Sequence, residues 1–171
     1  IYMIGCIIQA RMGSTRLPGK AMLSVENNKT VLDFVIKQLQ NCKLVDKIIV
    51  ATTTLEDDNK IANFSKDSGI DCFRGSSDNV LDRYYQCAKE YSVSTIVRIP
   101  SDKPLIDPGI VDNLVSVFRN DSYDYITNFL SNPTFPSGTE VEIFSINALK
   151  KAWKKAKLPS EKEHVTPYFT N

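Results

Sequence analysis

Hydrophobic residues along the chain switch between two spacings, and this predicts an alternation of strands and helices. Short, mostly β-branched apolar runs predict four buried strands, at residues 3–10, 47–51, 70–73 and 95–99. Apolar residues at helical period predict helices between them, as at Val31, Leu32, Val35, Ile36 and Leu39. Strands buried on both faces and separated by helices are typical of a parallel sheet. The pattern therefore predicts an α/β protein with an open, mostly parallel sheet and helices on both faces.

Capping residues mark where several of these helices begin and end. Gly69 suits the left-handed position after a helix. In the last third of the chain, residues 124–128 and 140–144 are predicted strands. The proline-rich segment 131–138 between them is either a mobile lid or a plain surface loop. Four pairs have the spacing or identity of an N-terminal cap: Thr30 with Asp33, Thr54 with Asp57, Asp107 with Pro108, and Ser160 with Glu163.

The composition fits one domain and excludes several kinds of site. The 171 residues carry 21 Lys and Arg against 20 Asp and Glu, a net charge of +1, so no overall field attracts nucleic acid or an anionic membrane. The four cysteines form no C-x-x-C pair and there is one histidine, which argues against a zinc cage. Because neither a signal peptide nor a transmembrane run is recognisable, we expect a cytoplasmic protein whose cationic sites are local.

A polar segment directly after the first predicted strand is the strongest candidate for chemistry. Residues 9–20 place Arg11, Arg16 and Lys20 beside two glycines. Glycine lets backbone amides approach an anion, and Arg and Lys add charge-assisted hydrogen bonds, so the segment suits a polyphosphate. It is not a Walker A loop, because five residues separate its glycines and alanine follows Lys20. The alternative is a basic surface loop with solvated charges.

Two other loops are predicted to reach the same edge of the sheet. In open α/β sheets, ligands bind outside the carboxyl ends of the strands, where residues 9–20, residues 74–76 and Asp102 are expected to meet. An acidic side chain beside a polyphosphate is explained by a Mg²⁺ between them, since this ion takes one or two carboxylates together with phosphate oxygens. The sequence therefore predicts a polyphosphate site in which Asp102 holds Mg²⁺.

Five segments spread over the whole chain resemble one enzyme family. The segments are residues 10–20 (ARMGSTRLPGK), 50–54 (VATTT), 73–85 (FRGSSDNVLDRYY), 101–108 (SDKPLIDP) and 163–168 (EHVTPY). In identity and spacing they resemble the CMP-Kdo synthetase-like cytidylyltransferases, and most of all the branch that includes the spore coat polysaccharide biosynthesis protein SpsF. The resemblance implies a Rossmann-like, three-layer α/β/α nucleotidyltransferase fold of the nucleotide-diphospho-sugar transferase type.

The resemblance also implies a reaction and a set of residues for its nucleotide side. The reaction is transfer of CMP from CTP to the hydroxyl of an acidic, nonulosonate-like sugar, with release of pyrophosphate. The implied catalytic groups are Arg16, Lys20 and Asp102, and Asp102 also holds the Mg²⁺. For Arg83, an ion pair with Asp78, Asp82 or Glu90 is an equal alternative. The residues implied in nucleotide binding are Ala10, Arg11, Gly13, Arg16, Lys20, Arg74, Gly75, Ser76 and Arg83.

The acceptor side rests on weaker signals in the last third of the chain. The family gathers its sugar contacts there, which implies Asn128, Glu140, Glu142 and His164 as sugar-binding residues. Glu140 and Glu142 are two apart on a predicted strand and therefore share a face. If that face borders the crevice, the two carboxylates bind sugar hydroxyls; if it borders solvent, they form a polar stripe. For the lone histidine, the alternative role is a structural hydrogen bond.

The family pattern is incomplete toward the end of this sequence. Relatives continue into further strands and a Thr-Val-Asp motif whose Asp supplies a second metal carboxylate. We therefore expect residues 1–171 to be a single nucleotidyltransferase domain that lacks its C-terminal strand and helix elements. The resemblance implies a role in surface or spore coat polysaccharide biosynthesis and a homodimer, with no nucleic-acid or membrane partner. Two alternatives keep a nucleotide site: a glycosyltransferase with a nucleotide-sugar donor, and a non-catalytic nucleotide-binding domain.

Overall fold

The computed structural model describes residues 2–14, 17–129 and 134–170. Its strands are β1 Ile4–Gln9, β2 Ser24–Glu26, β3 Lys29–Thr30, β4 Lys47–Thr53, β5 Asp71–Gly75, β6 Thr95–Pro100, β7 Tyr125–Thr127 and β8 Glu142–Ser145. Its helices are α1 Val31–Leu39, α2 Asn59–Asp67, α3 Val80–Glu90, α4 Pro108–Asn120, α5 Ile146–Lys155, α6 Pro159–His164 and α7 Pro167–Thr170. In these ranges, every helix is too short or too polar to cross a membrane.

Six strands form the central sheet in the order β5–β4–β1–β6–β8–β7, while β2 and β3 form a separate hairpin. The strands β5, β4, β1 and β6 are parallel, whereas β8 runs antiparallel to both β6 and β7. The predicted, mostly parallel α/β sheet is therefore confirmed. From β1 the chain builds outward through β4 to β5, and then returns to the other side of β1 to form β6. This reversal is a topological switch point, the position where open α/β sheets bind ligands.

The side chains of β1 enter two hydrophobic clusters, one on each face of the sheet. Ile4, Cys6 and Ile8 join the cluster that packs against α1, α2 and α4. Ile7 joins the opposite cluster, which α3 and α5 cover. Alternate residues of a strand point to opposite faces, so one apolar run supplies both cores. All four side chains are fully buried, which is why the run contains no polar residue.

The local capping signals are confirmed at three predicted helix ends. Thr30 and Asp33 form a complete capping box for α1, because the Thr30 hydroxyl accepts from the Asp33 amide at 3.2 Å and the Asp33 carboxylate accepts from the Thr30 amide at 2.7 Å. At the start of α4, the Asp107 carboxylate accepts from the Ile110 amide at 3.0 Å. After α2, Gly69 has a φ of 67°. Each of these caps depends on residues that are close in sequence.

The predicted cap of α2 is wrong. A 3-10 turn, Glu56–Asp58, follows β4, and α2 begins only after it at Asn59. Asp58 therefore occupies the position that was assigned to Thr54, and Asp57 lies within the turn rather than in the helix. The extra turn moves the helix start by several residues.

The predicted cap of α6 is also wrong. The helix starts at Pro159, and Glu161 rather than Glu163 accepts from the Leu158 amide, at 3.0 Å. Proline is favoured at the first helical position, where its missing N–H costs nothing. Pro159 therefore sets the start of the helix ahead of Ser160, and the acidic partner moves with it.

Candidate active site

A cleft opens at the carboxyl ends of β1 and β6, where the strand order reverses. The Ser101 amide donates to the Gln9 carbonyl at 3.1 Å, so the two strands stay paired up to the floor of the cleft. Distant parts of the sequence thus supply one site, as expected at a switch point. The cleft has a volume of about 250 Å³ and is lined by Gln9, Arg11, Ser14, Lys20, Pro100, Ser101, Asp102 and Glu163.

Lys20 and Asp102 form an ion pair in this cleft. Nζ of Lys20 donates to Oδ2 of Asp102, and the two side chains are 29% and 39% exposed. Lys20 follows Gly19, whose φ of 71° lies in the left-handed region that glycine adopts without strain. Two residues that the sequence placed in the site are therefore in contact, and both remain accessible to a ligand.

The loop after β1 is closed by hydrogen bonds to the peptide groups of Met12. Its carbonyl accepts from the amides of Ser14 at 2.9 Å and Gly19 at 2.7 Å. Its amide donates to the carboxylate of Asp58 at 2.6 Å. The amides of Ser14 and Gly19 are thus used within the loop. Because these two amides are already hydrogen-bonded, an anion in the cleft would be bound mainly by the charged side chains of the loop.

Three further residues of the implied nucleotide loop lie in different settings. Ala10 is buried, and its amide donates to the Ala51 carbonyl at 3.1 Å, which prolongs the sheet pairing. A methyl group added to Gly13 would meet open space, so this glycine leaves room beside the loop. Arg16, one of the implied catalytic groups, lies outside the described residues.

The cleft continues into a second part that contains a buried arginine. Arg83 on α3 is only 1% exposed; its Nη1 donates to the Ser76 carbonyl at 2.7 Å, and its Nε has no partner among the described residues. Burial lowers the pKa of Arg83, and the nearby charge of Arg11 lowers it further. A buried cation beside a second cation favours an anion next to it. This part has a volume of about 170 Å³ and is lined by Gln9, Arg11, Val80, Arg83, Glu163 and His164.

The alternative of an ion pair for Arg83 is wrong. Within residues 2–14, 17–129 and 134–170, no carboxylate lies at salt-bridge distance from its guanidinium. Asp82, on the same helix, instead accepts from Nε1 of Trp153 at 2.7 Å. Among the described residues, Arg83 therefore has no carboxylate partner, as expected of a cation that binds a ligand.

Gly75 and Ser76 hold the turn against which Arg83 packs. A Cβ at Gly75 would lie 3.1 Å from Cγ of Arg83 and 2.6 Å from Cε1 of Phe73, so this close approach requires glycine. Ser76 provides the carbonyl that Arg83 binds, and its hydroxyl accepts from the Asn79 amide at 3.0 Å. These two residues of the implied nucleotide set therefore position Arg83.

Arg74 is directed to the connection between β4 and α2. Its Nε donates to the Thr53 carbonyl at 2.8 Å, its Nη1 to Oδ1 of Asn59 at 2.6 Å, and its Nη2 to the Leu55 carbonyl at 2.8 Å. All three nitrogen atoms of the guanidinium are engaged in fixing this connection. Arg74 therefore has a structural role in this connection, and its expected contact with the nucleotide stays a prediction.

Glu142 belongs to a partly buried hydrogen-bond network, and its assignment as a sugar-binding residue stays a prediction. It lies opposite Arg98 in the register of β8 and β6, and its carboxylate accepts from the Arg98 guanidinium and, at 2.9 Å, from the Tyr125 hydroxyl. Arg98 also donates to Oε1 of Gln9 at 3.0 and 3.2 Å. Since Gln9 lines the cleft, Glu142 acts on the site through Arg98, by holding the Gln9 side chain in place.

Glu140 and Asn128 are likewise used in holding the chain that leads into β8. Glu140 lies outside this strand, so the expected shared strand face with Glu142 is wrong. Its carboxylate accepts from Nζ of Lys103 at 2.6 Å and from the Gly138 amide at 3.0 Å. Burial raises the pKa of Glu140, but these hydrogen bonds lower it and prevail. Asn128 is buried with both ends of its amide bonded to backbone groups.

Glu163 and His164 lie where α6 ends at the cleft. His164 lines the second part, and Glu163 lines both parts. The assignment of His164 as a sugar-binding residue stays a prediction. In the described ranges, neither side chain has a hydrogen-bond or ion-pair partner. Sequence reasoning placed Glu163 in a helix cap and missed it as a site residue. The available signal was its position in the segment 163–168, directly before the histidine.

The carboxylates of the cleft fit Mg²⁺ only in part. Asp102 and Glu163 line the same space, but no three His, Cys, Asp or Glu side chains of the described residues are grouped so that they could hold a metal. Mg²⁺ commonly takes one or two carboxylates and completes its octahedral shell with phosphate oxygens and water. The donor set therefore suits this ion when a phosphate ligand is present as well.

Comparison with known proteins places the chain among cytidylyltransferases. The family model described as Cytidylyltransferase matches residues 5–171. Uncharacterized protein MJ1063 of Methanocaldococcus jannaschii is 41% identical over 163 residues, which are 95% of this chain and 65% of that protein. Spore coat polysaccharide biosynthesis protein SpsF of Bacillus subtilis is 32% identical over 170 residues, covering 96% of this chain and 69% of that protein. The 3-deoxy-manno-octulosonate cytidylyltransferase of Trichlorobacter lovleyi is 33% identical over 138 residues, covering 80% and 48%.

The solved structures agree with these sequence relationships. A cytidylyltransferase from Leptospira borgpetersenii serovar Hardjo-bovis superimposes with a TM-score of 0.93 and 38% identity, covering 98% of this chain and 71% of that chain. The resemblance to cytidylyltransferases inferred from the five sequence segments is therefore confirmed. The chain spans between about half and about two thirds of the length of the curated relatives it matches.

Proposed function

The chain belongs to the cytidylyltransferase family, and we propose that it serves the Mg²⁺-dependent transfer of CMP from CTP to a hydroxyl of an acidic, nonulosonate-like sugar, with release of pyrophosphate. The observation that carries the proposal is the cleft at the switch point, where Arg11 and Lys20 stand beside Asp102. Two cations next to a carboxylate suit a triphosphate and its counter-ion. Two relatives, a 3-deoxy-manno-octulosonate cytidylyltransferase and a spore coat polysaccharide biosynthesis protein, support this choice of reaction and a role in surface or spore coat polysaccharide synthesis.

The proposed chemistry depends on positioning and charge neutralisation. Displacement at the α-phosphorus needs an aligned hydroxyl and a stabilised leaving pyrophosphate, and little covalent participation by the protein. Lys20 exchanges its bond to Asp102 for phosphate oxygens, and Arg11 and Arg16 bind the same polyphosphate. Asp102, with Glu163 beside it, would hold Mg²⁺, which when bound neutralises charge on the phosphate oxygens.

In this proposal, the second part of the cleft contacts both the nucleotide and the acceptor sugar. Arg83 is buried, has no carboxylate partner among the described residues and lies next to Arg11, so it binds the nucleotide from the side of α3. His164 lies at the end of α6 on the same cavity and faces the sugar. Ala10, Gly13, Gly75 and Ser76 shape the backbone around these groups.

Nucleotide binding is the first test. We would titrate CTP, ATP, GTP and UTP with and without Mg²⁺ by calorimetry, using the wild-type chain, Lys20→Ala and Asp102→Ala. Lys47→Ala is a matched control, because Lys47 forms an ion pair with Asp71 at the other end of the sheet, with Nζ 2.7 Å from the carboxylate. We expect CTP to be preferred, Lys20→Ala to weaken it at least about tenfold, and Asp102→Ala to weaken it only when Mg²⁺ is present.

The outcomes separate the competing functions. If no nucleotide binds, or if Lys20→Ala behaves like Lys47→Ala, the proposed site is refuted. If a UDP- or GDP-sugar binds more tightly than CTP, the result favours the glycosyltransferase function. Pyrophosphate release with a panel of acidic sugars then tests the reaction, and CTP binding without turnover would identify a nucleotide-binding domain.

A further inference from the structure

Asp58 is a buried carboxylate that forms no ion pair with any described residue. Its side chain is only 1% exposed, and within the described residues no Lys, Arg or His forms an ion pair with it. Asp is rarely buried unless it is paired, because removing its charge from water is costly. Some other interaction must therefore hold Asp58 in this place.

The helix that Asp58 precedes does not supply that interaction. Asp58 occupies the N-cap position of α2, where an Asp side chain ordinarily accepts from an amide in the first turn. Its side chain makes no such bond. One oxygen accepts from the Thr53 hydroxyl and the other from the Met12 amide, at 2.6 Å. The carboxylate is thus turned away from its own helix and toward the loop after β1.

The Met12 peptide is the centre of that loop. Its amide is held by Asp58, while its carbonyl accepts from the amides of Ser14 and Gly19. Arg11, one residue earlier, lines both parts of the cleft and has no partner in the described ranges. The bond from Asp58 therefore fixes the backbone from which the Arg11 side chain projects.

We propose that Asp58 is a positioning residue of the nucleotide site, which acts through the Met12 amide to hold Arg11 in the cleft. The inference rests on the proposed function, since it assumes that Arg11 binds the polyphosphate. Asp58 also supplies a buried negative charge close enough to Arg83 to favour the charged form of that arginine. It is hidden from the ligand, so it contacts no substrate atom itself.

The test compares Asp58→Ala, Asp58→Asn and Arg11→Ala, together with the double variant of Asp58→Ala and Arg11→Ala, in the whole chain. Asn keeps an oxygen for the Met12 amide and loses the charge, so it is the conservative rescue. Asp46→Ala is the matched control, because Asp46 accepts from the Ile4 amide at 2.8 Å at the opposite end of β1. Each variant is measured by CTP titration and by hydrogen exchange of the amides in residues 11–20.

We expect Asp58→Ala to speed amide exchange in residues 11–20 and to weaken CTP binding about tenfold, and Asp58→Asn to stay within about threefold of wild type. In the Arg11→Ala background, Asp58→Ala should cost little more, because both changes remove the same interaction. Asp46→Ala should change neither exchange in the loop nor binding.

Three results would overturn the inference. These are unchanged exchange in Asp58→Ala, a loss of affinity as large in Asp58→Asn as in Asp58→Ala, or effects of Asp58→Ala and Arg11→Ala that multiply in full. If the wild-type chain binds no CTP, the proposed function fails instead. The exchange measurement, which needs no nucleotide, still decides whether Asp58 holds the loop.

Discussion

Replacing Arg83 by methionine should stabilise the fold while it weakens nucleotide binding. The side chain is 1% exposed and has no carboxylate partner in the described residues. Burying an ion costs several kcal/mol after relaxation. The charge-assisted hydrogen bond to the Ser76 carbonyl returns about 1.5–3 kcal/mol, and the nearby charge of Asp58 also favours the charged guanidinium. These contributions leave a net gain of at most about 1–2 kcal/mol for Arg83→Met. In a chain of this length, that raises Tm by at most about 8 °C.

Arg98→Met is the matched control and should have the opposite effect on stability. Arg98 is also largely buried, at 12% side-chain exposure, but it is paired with Glu142. Removing it leaves a buried carboxylate unpaired, which costs about 3–5 kcal/mol. Thermal and urea unfolding of both variants, beside CTP titration, measure the two quantities separately. For Arg83→Met we expect CTP affinity to fall at least about tenfold, because a charged contact to the ligand is lost.

Two results would refute this reasoning about Arg83. If Arg83→Met unfolds at a lower temperature than wild type, the buried guanidinium is compensated by groups other than a ligand. If CTP binds the variant with wild-type affinity, the cation is not part of the nucleotide site, however unusual its burial. A stabilised variant that has lost affinity is the only combination that agrees with the structure.

Three further predictions concern stability and reactivity. The pKa of Glu140 is lowered in the fold, so its contribution to stability is present above its unfolded pKa of about 4.3 and is lost as pH falls through the lower folded value. Urea unfolding should therefore show a stability gap between wild type and Glu140→Gln at pH 7 that narrows as pH falls below about 4.3, and a gap that does not change with pH would contradict the lowered pKa. Gly5→Ala would put a Cβ 2.6 and 2.8 Å from the Cγ atoms of Val93, so urea unfolding should show a loss of stability of about 1–3 kcal/mol. Adding Val93→Ala to the same chain should recover part of this loss, and a Gly5→Ala variant as stable as wild type would contradict the close packing. Burial raises the pKa of Cys42 to about 12, so little of the reactive thiolate is present at pH 8. Iodoacetamide at this pH should label Cys42 more than about tenfold more slowly in the folded chain than in an unfolded control, and equal rates would argue against its burial.

Sequence reasoning succeeded where the deciding residues are close together along the chain. The capping box of Thr30 and Asp33 involves residues three apart, and Gly69 ends its helix through its own backbone freedom. Lys20 and Asp102 were also found, because both follow apolar strands and parallel strands end at one edge of a sheet. The cap at α6 was misread although Pro159 marks the start of that helix.

Sequence reasoning failed where the hydrogen-bond partner of a side chain lies far away along the chain. Glu142 meets Arg98 only because β8 pairs antiparallel with β6 at that offset, which no local pattern encodes. The same holds for Asp58, whose partner Met12 is 46 residues away. Acidic side chains that look available in the sequence are therefore often occupied, and the unoccupied Glu163 had been assigned to a cap.

The position of β1 in the middle of the sheet has a consequence for synthesis of the protein on the ribosome. Its neighbour β4 follows within the first 53 residues, but β6 does not begin until Thr95. Translation at roughly 5–20 residues per second needs about 2–8 s for the segment 54–94. During those seconds one side of β1, an apolar strand, has its backbone amides and carbonyls unpaired, and such edges recruit other chains. Each nascent molecule thus passes through an aggregation-prone interval, which ends when β6 closes the edge on which the cleft is built.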